Sequence, residues 1–152
     1  MSSGAPTGDS SSIIPGRVLG VDVGTRRVGL ALTDPLRMIS SPFSTIEMKS
    51  ENILVEQLIT ICKAHEVAVV VIGLPVSADG SEGPGCVRAR RIADRLARAA
   101  FATHLQDESW SSRDAEAILK ETGKSRRTAR EKVDAIAASL ILRDYLSEAS
   151  RS

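Results

Sequence analysis

A chain of 152 residues, 42% hydrophobic and 26% charged, has room for one domain around one core. A net charge of +1 excludes a uniformly basic polyanion binder, and an aromatic set limited to Phe43, Phe101, Trp110 and Tyr145 excludes a surface that stacks bases on several rings. No apolar run approaches the ~18 residues of a membrane span, nothing resembles a secretory signal, and Cys62 and Cys86 do not make a disulfide framework, so the expected compartment is the cytoplasm.

In chain order, residues 1–15 are rich in Ser, Gly, Pro and Thr and are expected to be a disordered tail, followed by one domain over 16–147 and a short tail over 148–152. Arg17 to Val23 and Arg27 to Thr33 are predicted strands, and Gly24-Thr25-Arg26 has the length and chemistry of a hairpin turn. A weaker strand is expected near Ser44 to Met48, after Ser41-Pro42. Ser50 is a helix cap, and Leu54, Leu58, Ile61, Cys62 and His65 recur at helical spacing. Val67 to Ile72 is an uninterrupted apolar run, the pattern of a strand buried on both faces. Gly73-Leu74-Pro75 ends it, and a loop follows with Gly80, Gly83, Pro84 and Gly85.

A helix is predicted from about Cys86 to Ala100. Ile92, Ala93, Leu96 and Ala100 share one face, and Arg88, Arg91, Arg95 and Arg98 lie within about 80° on another. Phe101 to Asp107 is the last predicted strand; Ser111 or Ser112 caps a short helix through Lys120, stopped by Gly123. A final helix, Ala129 to Leu146, is expected to bury Val133, Ile136, Ala137, Leu140 and Ile141. The whole reads as an α/β domain: a mixed five-stranded sheet flanked by helices, with a meander in front and parallel crossovers behind.

Three acids sit in unusual places. Asp22 lies inside an apolar strand, Glu108 at the end of the last strand, and Asp134 beside Val133 in the final helix. Each has an ordinary explanation: a turn acceptor for Asp22, a favourable helix-dipole position for Glu108, an ion pair with Arg130 or Lys132 for Asp134. Together they offer a set of carboxylates for a divalent ion, the means by which water is made to attack an already charged phosphodiester.

The run Arg17-Val18-Leu19-Gly20-Val21-Asp22-Val23-Gly24-Thr25-Arg26-Arg27-Val28-Gly29-Leu30-Ala31 resembles the opening of the YqgF or RuvX-type proteins. Val71-Ile72-Gly73-Leu74-Pro75, Asp107-Glu108 and Lys132-Val133-Asp134-Ala135-Ile136-Ala137-Ala138 resemble three further motifs of that family, in order, over Arg17 to Leu146. The resemblance implies an RNase H-like fold and a nuclease that matures the 5′ end of pre-16S rRNA, or a Holliday-junction resolvase acting on branched DNA. It implies Asp22, Glu108 and Asp134 as catalytic acids and ligands of Mg²⁺ or Mn²⁺, two ions in all, with Asp107 the alternative to Glu108. Arg26, Arg27, Lys132 and Arg113, the last one helical turn beyond Ser109, are candidates for nucleic-acid contact, in a monomer or homodimer. The third motif departs from the family: Ser109, Ser111 and Ser112 stand where an arginine and two threonines are usual.

Two other classes compete. Asp-x-Gly-Thr also opens the phosphate loop of actin-like and sugar-kinase folds, but these close two domains over a nucleotide. The altered third motif leaves room for a nucleic-acid binding factor that cleaves nothing. Among lesser features, the arginine face near Arg91 offers phosphate contacts, with a solvated face the alternative. Cys62 is expected in the core, and Cys86, at a loop end, is expected to be exposed and able to link two chains on oxidation.

Overall fold

The computed structural model describes residues 15–77, 79–108 and 126–150. The turn at Gly24 to Arg26 folds β1 (Arg17–Val23) against β2 (Arg27–Thr33), and the Gly24 N–H closes it by donating to Arg27 O at 2.9 Å. The chain continues through β3 (Ser40–Glu47), α1 (Glu51–Ala64), β4 (Val67–Leu74), α2 (Pro84–Arg98), β5 (Ala102–Asp107) and α3 (Arg126–Ser150). The strands form one five-stranded sheet in the order β3-β2-β1-β4-β5. β1, β2 and β3 pair antiparallel as a meander, and β4 and β5 join parallel to β1. This is the expected mixed sheet. Among the described residues no helix is long and apolar enough to cross a membrane.

Three element boundaries differ from the sequence reading, each for a local reason. β3 starts at Ser40 rather than Ser44 and runs through Pro42. It can do so because it is an edge strand, and the register slips between Leu30 and Ala31 where Pro42 sits opposite Ala31. α2 begins at Pro84, whose missing N–H costs nothing in a first turn, with Gly83 as its cap. α3 extends from Arg126 to Ser150, so residues 148–150, expected as tail, continue the helix. The short helix expected between Ser111 and Lys120 lies outside the described residues.

The two faces of the sheet are built from different residues. On one face Leu19, Val21, Leu30 and Ile72 meet Leu54 and Leu58 of α1 and Ile92 and Leu96 of α2, all fully buried. Cys62 and Cys86 are both in this core. Cys86 is therefore not the exposed loop thiol expected from Gly85: helix α2 has already begun there and turns it inward. Burial pushes the Cys62 thiol up to about 12.

The opposite face takes α3. Its core is smaller: Val18, Ala31, Val69 and Val71 against Ala138, Ile141, Leu142 and Tyr145. Of the expected apolar stripe, Ala137, Leu140 and Ile141 are buried, while Val133 and Ile136 are half-buried. α3 comes so close because the strands offer no side chain beneath it. A Cβ placed on Gly29 would lie 1.9 Å from Asp134 O, and one on Gly20 would lie 2.9 Å from Ala138 O. The helix also reaches β3 and β5, through Ser40 Oγ donating to Ser139 O at 3.0 Å and the rings of His104 and Tyr145 at 4.9 Å.

Candidate metal centre

Strand alternation decides which acids can meet. On β1, Leu19, Val21 and Val23 face α1 and α2, so Asp22 faces α3 with Gly20. Its antiparallel partner is Gly29, the residue over which Asp134 is seated. On β5, Gln106 hydrogen-bonds Glu148 of α3, and Glu108, two residues on, shares its side. Glu108 N–H donates to Leu74 O at 3.0 Å, which extends the β4–β5 register past Asp107. Asp107 is exposed on the other side, near enough to Arg90 for its charge to act there. Parity thus puts Glu108, and not Asp107, on the side of Asp22.

Gly73 completes the floor. It follows Ile72, the β4 partner of Val21, and a Cβ there would lie 2.7 Å from Glu108 Oε2. Gly29 and Gly73 therefore flank Asp22 on the two neighbouring strands and make the space in which Asp134 and Glu108 approach it. Neither glycine was singled out from the sequence as part of the site. The signal was present, since a glycine inside an otherwise apolar strand marks close approach by another group.

The electrostatics register this convergence. Burial raises the Asp22 carboxyl above its ordinary value of 3.8; a hydrogen bond with Glu108 opposes that, and the negative charge of Asp134 adds to it. Asp134 is held by Arg27, whose Nε donates to Oδ2 at 2.6 Å; the side chains are 34% and 21% exposed. Among the described residues no three His, Cys, Asp or Glu side chains are gathered tightly enough to grip one ion as placed. Asp22 and Glu108 touch, and Asp134 stands within reach of the Asp22 charge.

The basic candidates separate. Arg27 is turned onto Asp134 rather than outward. Arg26, at the β1–β2 turn, and Lys132, two residues before Asp134, are exposed. Arg113, with Ser109 to Ser112, lies outside the described residues. On α2, Arg91 forms a two-bond ion pair with Glu51, and Arg98 pairs with Asp94 at 3.1 Å, so two of the four arginines on that face are paired with acids of the chain. Arg90 likewise grips Glu82 of the loop before α2. His65 packs edge-on against Phe43.

The protein from Chlorobium luteolum is 41% identical over 138 residues, 88% of this chain and 95% of its own length. The one from Myxococcus xanthus is 38% identical over 131 residues, 86% of this chain and 87% of its own. Both are named as candidate pre-16S rRNA nucleases. Among solved structures, Thermus thermophilus RuvC aligns with a TM-score of 0.53 at 10% identity, over 88% of this chain and 96% of that one. The fowlpox virus resolvase, solved with Holliday junction DNA, aligns with a TM-score of 0.52 at 14% identity, over 88% and 98%. These likenesses show the RuvC-like, RNase H-like fold. Residues 16–148 match the family described as RuvX, Holliday junction resolvase, and the chain belongs to that family.

Proposed function

We propose that this protein is a cytoplasmic, metal-dependent endonuclease that hydrolyses phosphodiester bonds in structured RNA, with the 5′ end of pre-16S rRNA as its substrate. The observation that carries this reading is the approach of Asp22, Glu108 and Asp134, from two strands and a helix, over the glycine floor. The names of the relatives at 33–41% identity support RNA as the substrate.

The donor set fits a hard divalent ion. All three side chains offer oxygen only, the choice of Mg²⁺ and Mn²⁺. The Asp22 carboxyl is raised by burial and by Asp134, so a cation would relieve both effects. When bound, one or two such ions supply positive charge to the scissile phosphate and acidify the attacking water. The chain's own part would be to hold the ion with Asp22 on the central strand, together with Glu108 after β5 and Asp134 on α3. Asp134 would complete the set from the helix side through the oxygen that Arg27 does not take. Arg26 and Lys132 flank it, exposed, where they draw in a phosphate backbone without reading its sequence.

Resolution of branched DNA is the second reading, favoured by the description of the family. The two are separated by offering a pre-rRNA 5′ leader and a four-way junction with Mg²⁺ or Mn²⁺. Cleavage of the leader that stops with chelator and with Asp22→Asn is the expected result. Cleavage of the junction alone makes the protein a resolvase, and tight binding without cleavage of either makes it a binding factor.

A further inference from the structure

We propose that Arg27 is a positioning residue for the metal centre: it fixes the Asp134 carboxylate through Oδ2 and so leaves Oδ1 for the ion. The inference rests on the metal-dependent reading above and goes beyond it, because the motif position of Arg27 suggests a contact to nucleic acid rather than to a ligand. β2 presents Arg27 and Gly29 on the same face. Both act on Asp134. Gly29 admits its backbone, with no room for a Cβ, and Arg27 takes its side chain at 2.6 Å across 107 residues of sequence. Backbone and carboxylate are thus fixed by two positions of one strand.

The bond uses Nε and one carboxylate oxygen; Oδ1 makes no hydrogen bond among the described residues. While so held, Asp134 remains close enough for its charge to act on Asp22. The pair therefore keeps the carboxylate beside the site instead of drawing it away. Ligating carboxylates are commonly oriented by such a partner, and losing it typically costs 10–100-fold in metal affinity. Coulomb repulsion acts in the opposite sense, since removing a nearby cation would by itself tighten binding of a second one. The sign of the effect therefore distinguishes positioning from competition.

The test is calorimetric titration of Mn²⁺ into the full-length, chelator-stripped protein, as wild type, Arg27→Gln, Arg27→Lys, Asp134→Asn and the Arg27→Gln/Asp134→Asn double variant. We expect Arg27→Gln to raise the Mn²⁺ Kd by roughly 10–100-fold. Arg27→Lys, which keeps the charge without the planar fork, loses less in the same direction. In the Asp134→Asn background Arg27→Gln adds nothing, because its effect passes through that carboxylate. Unchanged or tighter binding in Arg27→Gln overturns the proposal, as does a full loss that persists without Asp134. If Arg27→Gln does not fold, Arg27→Lys decides: weaker binding supports positioning, and unchanged or tighter binding overturns it. Wild-type protein that takes up no Mn²⁺ overturns the metal reading itself, a different failure from an unaffected Arg27 variant.

Discussion

The two faces of this sheet solve opposite problems. The face under α1 and α2 is filled with leucine, isoleucine and valine, and its helices stand off at the distance those side chains set. Each such residue contributes about 1.5–3 kcal/mol by leaving water, and the paired arginines of α2 remain at the surface. The face under α3 gives up side chains. Glycine at Gly20 and Gly29 lets the helix backbone come down on the strands, and Gly73 clears room for Glu108. Close approach there brings carboxylates together, which is unfavourable for folding unless, as proposed, a cation joins them. On the proposed function, stability is concentrated on one face and chemistry on the other.

Substitutions on the two faces should therefore fail differently. Asp22→Asn should have the largest effect on function, lowering metal-dependent cleavage on the order of 10³-fold or more, equivalent to ~4 kcal/mol of barrier. It should not destabilise the metal-free protein. A carboxyl whose value is raised by folding gives stability that is present below its ordinary 3.8 and lost as pH rises through the raised value. In chelator, melting curves should show wild type losing ground to Asp22→Asn as pH climbs above that range. Parallel curves would contradict the burial and crowding described for Asp22.

Gly29→Ala should cost ~3 kcal/mol or more in denaturant unfolding, since its Cβ would fall 1.9 Å from the Asp134 carbonyl and backbone cannot step aside cheaply. It should impair cleavage as well, because it moves a ligand. Leu58→Ala, fully buried on the other face, should cost about 2–5 kcal/mol yet leave cleavage per folded molecule unchanged at low temperature. If both variants lose activity alike, the division between the faces is wrong. The smallest effect concerns the thiols. Cys62 and Cys86 are buried, so the native protein should resist thiol reagents and stay monomeric on a non-reducing gel after oxidation. Rapid labelling at neutral pH would place a cysteine outside the core.

The sequence was most legible where one periodicity ruled. β1, β2 and β4 were bounded to within a residue or two, because apolar runs ended by Gly-Thr or Leu-Pro admit few readings. β3 was cut short because Pro42 and its neighbouring serines carry no strand signal, and an edge strand needs none. The placement of Cys86 was missed because a helix start at Pro84, rather than at Cys86, rotates that side chain inward. Among the acids, order along the chain and family likeness picked out Asp22, Glu108 and Asp134. The choice of Glu108 over Asp107 needed the β4–β5 register. The Arg27–Asp134 pair could not be read at all, since it joins positions that only the docking of α3 on Gly29 brings together.

The most direct test of the central claim is a crystal structure of the protein soaked with Mn²⁺, with the ion located by its anomalous scattering. The account predicts a peak over the glycine floor, bonded at about 2.0–2.3 Å to oxygens of Asp22 and at least one of Glu108 and Asp134. An ion bound elsewhere, with these three carboxylates uninvolved, would contradict it.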